Sequence, residues 1–162
     1  MHLLPYILLG YVAVGVQVGL SGFVHLGRAS PNLVLIVAVY LALLAPRDAA
    51  RLACFALGLM QDLLTQQTLG LYAISYGLIG VIIGNSQAMV FREQPLTHAA
   101  ATLVGSILTW AILLVHGWIF GPGISPAVAV YSTLLTVLLA PLVMWGLLRL
   151  RPLLGIRVAR RF

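Results

Sequence analysis

The chain has 162 residues, 62% hydrophobic and 7% charged, with a mean hydropathy of +1.09. That leaves too little polar surface to cover a soluble domain, which excludes one as the class of this protein. The net charge of +6 and pI near 10.3 come from arginine without lysine, and a membrane topology facing anionic headgroups accounts for them without nucleic acid.

In chain order the apolar stretches run from Leu3 to Gly27, Pro31 to Ala45, Ala49 to Leu64, Leu69 to Phe91, Thr97 to Phe120 and Pro126 to Leu148. At a helical rise of 1.5 Å the first spans about 37 Å, enough to cross a hydrocarbon core of about 30 Å with tilt. The second and third span only about 22 to 24 Å. A single re-entrant hairpin would carry Pro46, Arg47, Asp48 and Arg51 into the bilayer, where one charge alone costs roughly 2.5 to 3.5 kcal/mol. Two short spans are therefore expected. The fold class is all-α, a polytopic membrane protein of six transmembrane helices over residues 1–148, followed by a basic cytoplasmic tail over 149–162.

With the N-terminus inside, Arg47, Arg51, Arg92, Arg149, Arg151, Arg157, Arg160 and Arg161 are cytoplasmic and Arg28 alone is outside. The positive-inside rule then places both termini in the cytoplasm. Ser30-Pro31, Asp48, Thr97 and Ser125-Pro126 are suited to begin helices. Thr65 to Thr68 and Gly121 to Ser125 are uncharged outer turns. The N-terminus lacks the basic region and small-residue cleavage site of a signal peptide, so the first stretch is expected to stay. The basic tail, with Arg157, Arg160 and Arg161 among Ile156, Val158 and Phe162, suits the anionic lipids of the inner leaflet.

Small and polar residues interrupt the apolar stretches at a few places. Gly15/Gly19 and Gly80/Gly84 are GxxxG spacings, which let a neighbouring backbone approach closely, either within the bundle or from another protein. Ala50, Cys54, Gly58 and Asp62 recur every four residues and share one face of the third helix, a small-residue groove leading to a carboxylate. Asp62 is the only acid inside any span. Two roles are open to it: a cap on the amide end of a neighbouring helix, or a contact for a partner or substrate. Cys54 is the single cysteine, which rules out an internal disulfide and a multi-cysteine metal site, and no cofactor is expected.

Gly19-Leu20-Ser21-Gly22 resembles the GxSG of intramembrane rhomboid proteases. The nearest histidine, His25, lies only four residues along the same helix and supplies no oxyanion hole, so catalysis is not expected.

The segment Gly58-Leu59-Met60-Gln61-Asp62-Leu63-Leu64, a polar turn Thr65 to Thr68, Leu69-Gly70, and a helix carrying Tyr72, Tyr76, Gly77 and Gly80 resembles the central motif of the rod shape-determining MreD family. Pro31-Asn32-Leu33 resembles the opening of the family's second span, with Asn32 where an acid is frequent and Gln66-Gln67 where a glycine-rich turn is frequent. The likeness is carried by Pro31 to Gly84, with Pro31, Gly70, Tyr76 and Gly77 as motif residues. It implies a non-catalytic inner-membrane component of the bacterial elongation machinery that holds the bitopic protein MreC and works with MreB, RodA and a penicillin-binding transpeptidase in peptidoglycan synthesis. It also implies a fold similar to the substrate-binding subunits of energy-coupling-factor vitamin transporters, and that transporter role is the alternative reading. On the shape-protein reading the partner's helix packs on small residues, the face of Ala50, Cys54, Gly58 and Asp62 first and that of Gly80 and Gly84 second.

Overall fold

The computed structural model describes residues 4–20, 30–65, 68–88, 94–121 and 125–154. These form six α-helices: α1 (Leu4–Leu20), α2 (Leu33–Leu44), α3 (Arg47–Leu64), α4 (Leu71–Asn85), α5 (Pro95–Phe120) and α6 (Pro126–Leu154), with a 3-10 turn, Ser86–Ala88, after α4. Among the described residues α5 and α6 are long and apolar enough to cross a membrane, over Leu96–Phe120 and Pro126–Arg149. The helices α1, α2 and α4 are shorter apolar elements.

The centre of the molecule is α2. All 12 of its residues are buried, because Leu, Ile, Val and Ala surround the helix axis on every side and leave no face suited to water. At about 18 Å it is too short to cross a hydrocarbon core alone. Its exposed-end backbone groups must then be satisfied by neighbours. The Asn32 side chain caps the N-terminus by accepting from Leu35 N at 3.0 Å, and Gln17 Oε1 of α1 accepts from Val34 N at 3.1 Å. At the other end Gln87 Nε2 donates to the carbonyls of Ala42 and Ala45 at 2.7 and 2.8 Å. Pro46 then forces the preceding Ala45 into an extended conformation and ends the helix.

Amphipathicity in α3 runs opposite to that of a water-soluble helix. Its buried stripe holds Ala50, Ala53, Cys54, Gly58, Gln61 and Asp62, while its exposed stripe holds Leu52, Phe55, Leu59 and Leu63. The same inversion recurs on the long helices: Thr102, Ser106 and Thr109 of α5 and Ser132 and Thr136 of α6 are buried, while Val104, Ile107, Leu138 and Leu142 are exposed. Small hydroxyl residues let helix backbones approach, and apolar side chains face outward, the arrangement expected where the surrounding solvent is lipid.

Hydrogen bonds at the two ends of α2 define the two ends of the bundle. Near its C-terminus lie Gln87, Asn85 bonded to Arg51 at 2.9 Å, and the Leu147 carbonyl, which accepts from Tyr40 Oη at 3.3 Å. Near its N-terminus lie Tyr76, bonded to Asn32 at 2.8 Å, and Thr136, whose Oγ1 accepts from Asn32 N at 3.0 Å. The start of α3 and the end of α6, carrying Arg47, Arg51 and Arg149, therefore share one end.

Several boundaries differ from the sequence reading. Asn32, not Ser30-Pro31, is the cap of α2; α3 begins at Arg47 behind Pro46, with Asp48 in its first turn; and α5 begins at Pro95, not Thr97, because proline is pre-set for the first helical position. The end of the first span, expected at Gly27, lies in residues outside those described, as do Ser21 and His25. At the C-terminus α6 continues past the expected limit at Leu148 to Leu154, so the predicted tail begins inside a helix.

Candidate functional site

The side chain that organises the motif region is Asp62. It is 1% exposed, and its carboxylate accepts from three backbone amides at the start of α4: Gly70 N and Ala73 N on Oδ2 at 3.0 and 3.1 Å, and Tyr72 N on Oδ1 at 3.0 Å. These donors are among those a helix start leaves unsatisfied, and they carry the positive end of the helix dipole. A buried carboxylate is thus held without a cation. The ion pair of Arg51 with Asp48, at 3.6 Å, lies at the far end of α3.

Of the two roles left open by the sequence, Asp62 takes that of the cap. Gly70 makes it possible, since φ is +102° there, a conformation that L side chains rarely adopt. The turn swings the amides of Gly70, Tyr72 and Ala73 onto one carboxylate, closing a tight α3–α4 hairpin.

Glycine and alanine positions complete this hairpin. A Cβ at Gly58 would collide with the Tyr72 carbonyl and the Ala73 backbone, and one at Gly80 would lie 3.0 Å from Cys54 Cβ and 3.2 Å from Arg51 Cα. Ala50 and Cys54 are fully buried, and Cys54 Sγ donates to the Ala38 carbonyl of α2 at 3.2 Å. The face of Ala50, Cys54, Gly58 and Asp62, offered by its periodicity as a groove for a partner's helix, is therefore filled from within the chain by α4 and α2. Gly80 serves the same internal contact from the α4 side. Gly84 is buried with open space at its Cβ position.

The remaining motif residues support the same core. Tyr76 is fully buried, takes a hydrogen bond from Asn32 Nδ2 and meets Tyr72 edge-on with ring centroids 5.9 Å apart. Gly77 is half-buried beside Phe55, and Pro31 is buried ahead of the α2 cap. The sequence reading missed Gln17, Gln87 and Thr136, which close the ends of α2. Gln17 is a lone amide in an apolar stretch, and that isolation is the signal that would have found it; Gln87 follows Asn85 and Ser86, and Thr136 follows Ser132 and Thr133, so neither stands out in the sequence.

Open surface lies elsewhere. Between α1 and α3 runs an apolar groove of about 300 Å³ lined by Tyr6, Ile7, Gly10, Phe55, Ala56 and Met60 among others. Farther along α1, Gly15 and Gly19 are exposed with nothing within 4 Å of a Cβ position. A second, small cavity of about 20 Å³ lies between the N-terminus of α2, α4, α5 and α6. Among the described residues no group of three His, Cys, Asp or Glu side chains comes together to hold a metal.

No curated protein and no solved structure matches the chain. The family model described as rod shape-determining protein MreD matches residues 2–151, and its reach covers the capped hairpin, the buried α2 and both long helices. This chain belongs to the MreD family, membrane proteins of rod-shape determination.

Proposed function

We propose that this protein is a non-catalytic, multi-pass scaffold of the bacterial inner membrane, in which six helices stand in the bilayer with both termini in the cytoplasm. It holds the bitopic protein MreC by packing of one helix against another within the membrane. Through MreC it gathers the elongation machinery of MreB, RodA and a penicillin-binding transpeptidase for peptidoglycan synthesis. The observation that carries this reading is the inverted surface: polar and small side chains are consumed inside the bundle, while apolar ones face outward along α3, α5 and α6. Such a body offers lipid and other helices shape to pack on, with little chemistry.

We assign the contact to the α1–α3 groove, with the exposed Gly15/Gly19 pair on another face of α1 as a second small-residue surface. Close packing on small residues is what selects one helix over lipid tails; Gly15 and Gly19 are left uncovered by the chain and Ala56 half-covered, whereas Gly10 at the base of the groove already meets Leu57. The buried hairpin of Ala50, Cys54, Gly58, Asp62 and Gly80 contributes by fixing where α3 stands. Arginines at one end, including Arg51 and Arg149, face the cytoplasm, and the basic tail lies on anionic lipid.

Mass spectrometry of the detergent-purified protein tests the reading. Copurification with a bitopic partner supports it; copurification with a vitamin and an ATPase module would replace it with the transporter reading. The cavity among α2, α4, α5 and α6, at about 20 Å³, is far below the roughly 300 to 1,000 Å³ of small-molecule pockets and gives no support to a vitamin site.

A further inference from the structure

Among the described residues three buried side-chain polar atoms lack a hydrogen-bond partner, Arg51 Nε, Gln61 Oε1 and Ser106 Oγ, and of these Ser106 alone lines the small cavity among α2, α4, α5 and α6. The residue is 1% exposed, and its hydroxyl has no hydrogen-bond partner, although a buried unsatisfied hydroxyl is costly and rare in native proteins. Its neighbours Thr102 and Thr109 on α5 donate back to carbonyls of their own helix, His98 O at 2.8 Å and Gly105 O at 2.9 Å. Ser106 lines the small cavity bounded also by Asn32, Tyr72, Thr109, Ser132 and Thr136.

The lining has a definite hydrogen-bonding sense. Thr109, Ser132 and Thr136 each give their proton to a carbonyl, Gly105 O, Ser30 O and Ser132 O respectively. The oxygens of Thr109 and Ser132 are left with lone pairs for an incoming donor, while that of Thr136 already accepts from Asn32 N. Asn32 spends one amide hydrogen on Tyr76 and keeps a second. The cavity thus presents acceptors from α5 and α6, together with the free hydroxyl of Ser106. A volume of about 20 Å³ exceeds the roughly 10 to 15 Å³ one water requires, and a water needs two to four polar partners.

We propose that this cavity is a hydration site holding one ordered water, which accepts from the Ser106 hydroxyl and donates to the oxygens of Thr109 and Ser132. The water ties α5 to α6 beside the capped N-terminus of α2, supplying a polar link at a point where no direct side-chain bond joins these helices among the described residues. A divalent cation is not the occupant, because the lining contains no carboxylate to offset its charge.

Thermal unfolding of the purified full-length protein in detergent tests the assignment through the sign of one change. In a hydrated cavity Ser106→Ala deprives the water of a partner, and the midpoint falls by about 2 to 4 °C. In a dry cavity the same variant removes an unsatisfied hydroxyl, and an unchanged or raised midpoint overturns the proposal. A high-resolution map of the wild-type protein provides an independent reading. Isolated density within hydrogen-bond distance of Ser106 Oγ and Ser132 Oγ supports the water; an empty cavity, or density with five or more oxygens at cation distances, overturns it.

Discussion

One carboxylate decides the geometry of the hairpin, and its replacement should reveal how much of the fold leans on it. Asp62→Ala would strand three backbone amides at once, two of them buried, and remove a charge from the positive end of α4. Losing an N-cap costs about 0.5 to 2 kcal/mol, and losing buried bonds to a charged group adds to that, so a loss of about 2 to 4 kcal/mol is expected. Asp62→Asn keeps an acceptor without the charge and should recover part of it. By contrast, Tyr76→Phe removes one neutral bond, to Asn32, and interhelical bonds of that kind average about 0.6 kcal/mol. Unfolding midpoints in detergent should rank wild type, Tyr76→Phe, Asp62→Asn and Asp62→Ala in falling order. Equal stability of Asp62→Ala and Tyr76→Phe would mean that the carboxylate has no special weight. Gly70→Ala adds a separate check on the turn, with a cost of at least about 1 kcal/mol from the positive φ alone.

Within the α3–α4 hairpin two effects of opposite sign compete at Gly58. Glycine to alanine in a helix interior gains up to about 1 kcal/mol in propensity, but here the new methyl meets the backbone of Tyr72 and Ala73, which a rotamer change cannot relieve. Overpacking of about 1 to 3 kcal/mol should win, so Gly58→Ala is expected to lower the midpoint, and Gly58→Leu to lower it further. Loss of partner binding in either variant would then follow from loss of the hairpin. A cleaner variant for the contact is Ala56→Phe, which puts a ring into the α1–α3 groove from a half-buried position. Retention of the bitopic partner should fall at least severalfold in a pull-down while the unfolding midpoint stays put. Full retention would move the interface off this groove. At this scale the sequence was legible in what periodicity and turn chemistry encode: six apolar segments, the Asp62 to Gly70 hairpin, and the shared face of Ala50, Cys54, Gly58 and Asp62. What faces that stripe was not legible, because a four-residue repeat of small side chains reads the same whether the covering helix is α4 of this chain or a helix of another. The ends of α2 were hidden for a related reason: Gln17, Gln87 and Thr136 come from three different segments, and only the fold brings them to one helix.

For the whole molecule, the arrangement of charge and bond partners makes a prediction about sidedness. The Arg51–Asn85 bond, the Tyr40–Leu147 bond and the Gln87 cap gather the start of α3 and the ends of α2, α4 and α6 at one end, and Asp62 with Gly70 closes α3 and α4 away from it. If arginine retention on the cytoplasmic side sets the orientation, the turn before Gly70 faces outward. Cys54 is fully buried, so a Cys54→Ala background removes the native thiol without altering the surface, and single cysteines at Thr68 and Asp48, both exposed, report opposite ends. A membrane-impermeant maleimide applied to intact spheroplasts should label Thr68→Cys and leave Asp48→Cys unmodified until the membrane is opened. The reversed pattern would invert the bundle, carrying Arg47, Arg51 and Arg149 to the outer face against the positive-inside rule. Labelling of both positions in sealed cells would instead remove α3 from the set of crossing helices, leaving α5 and α6 to anchor a body that lies partly on the membrane.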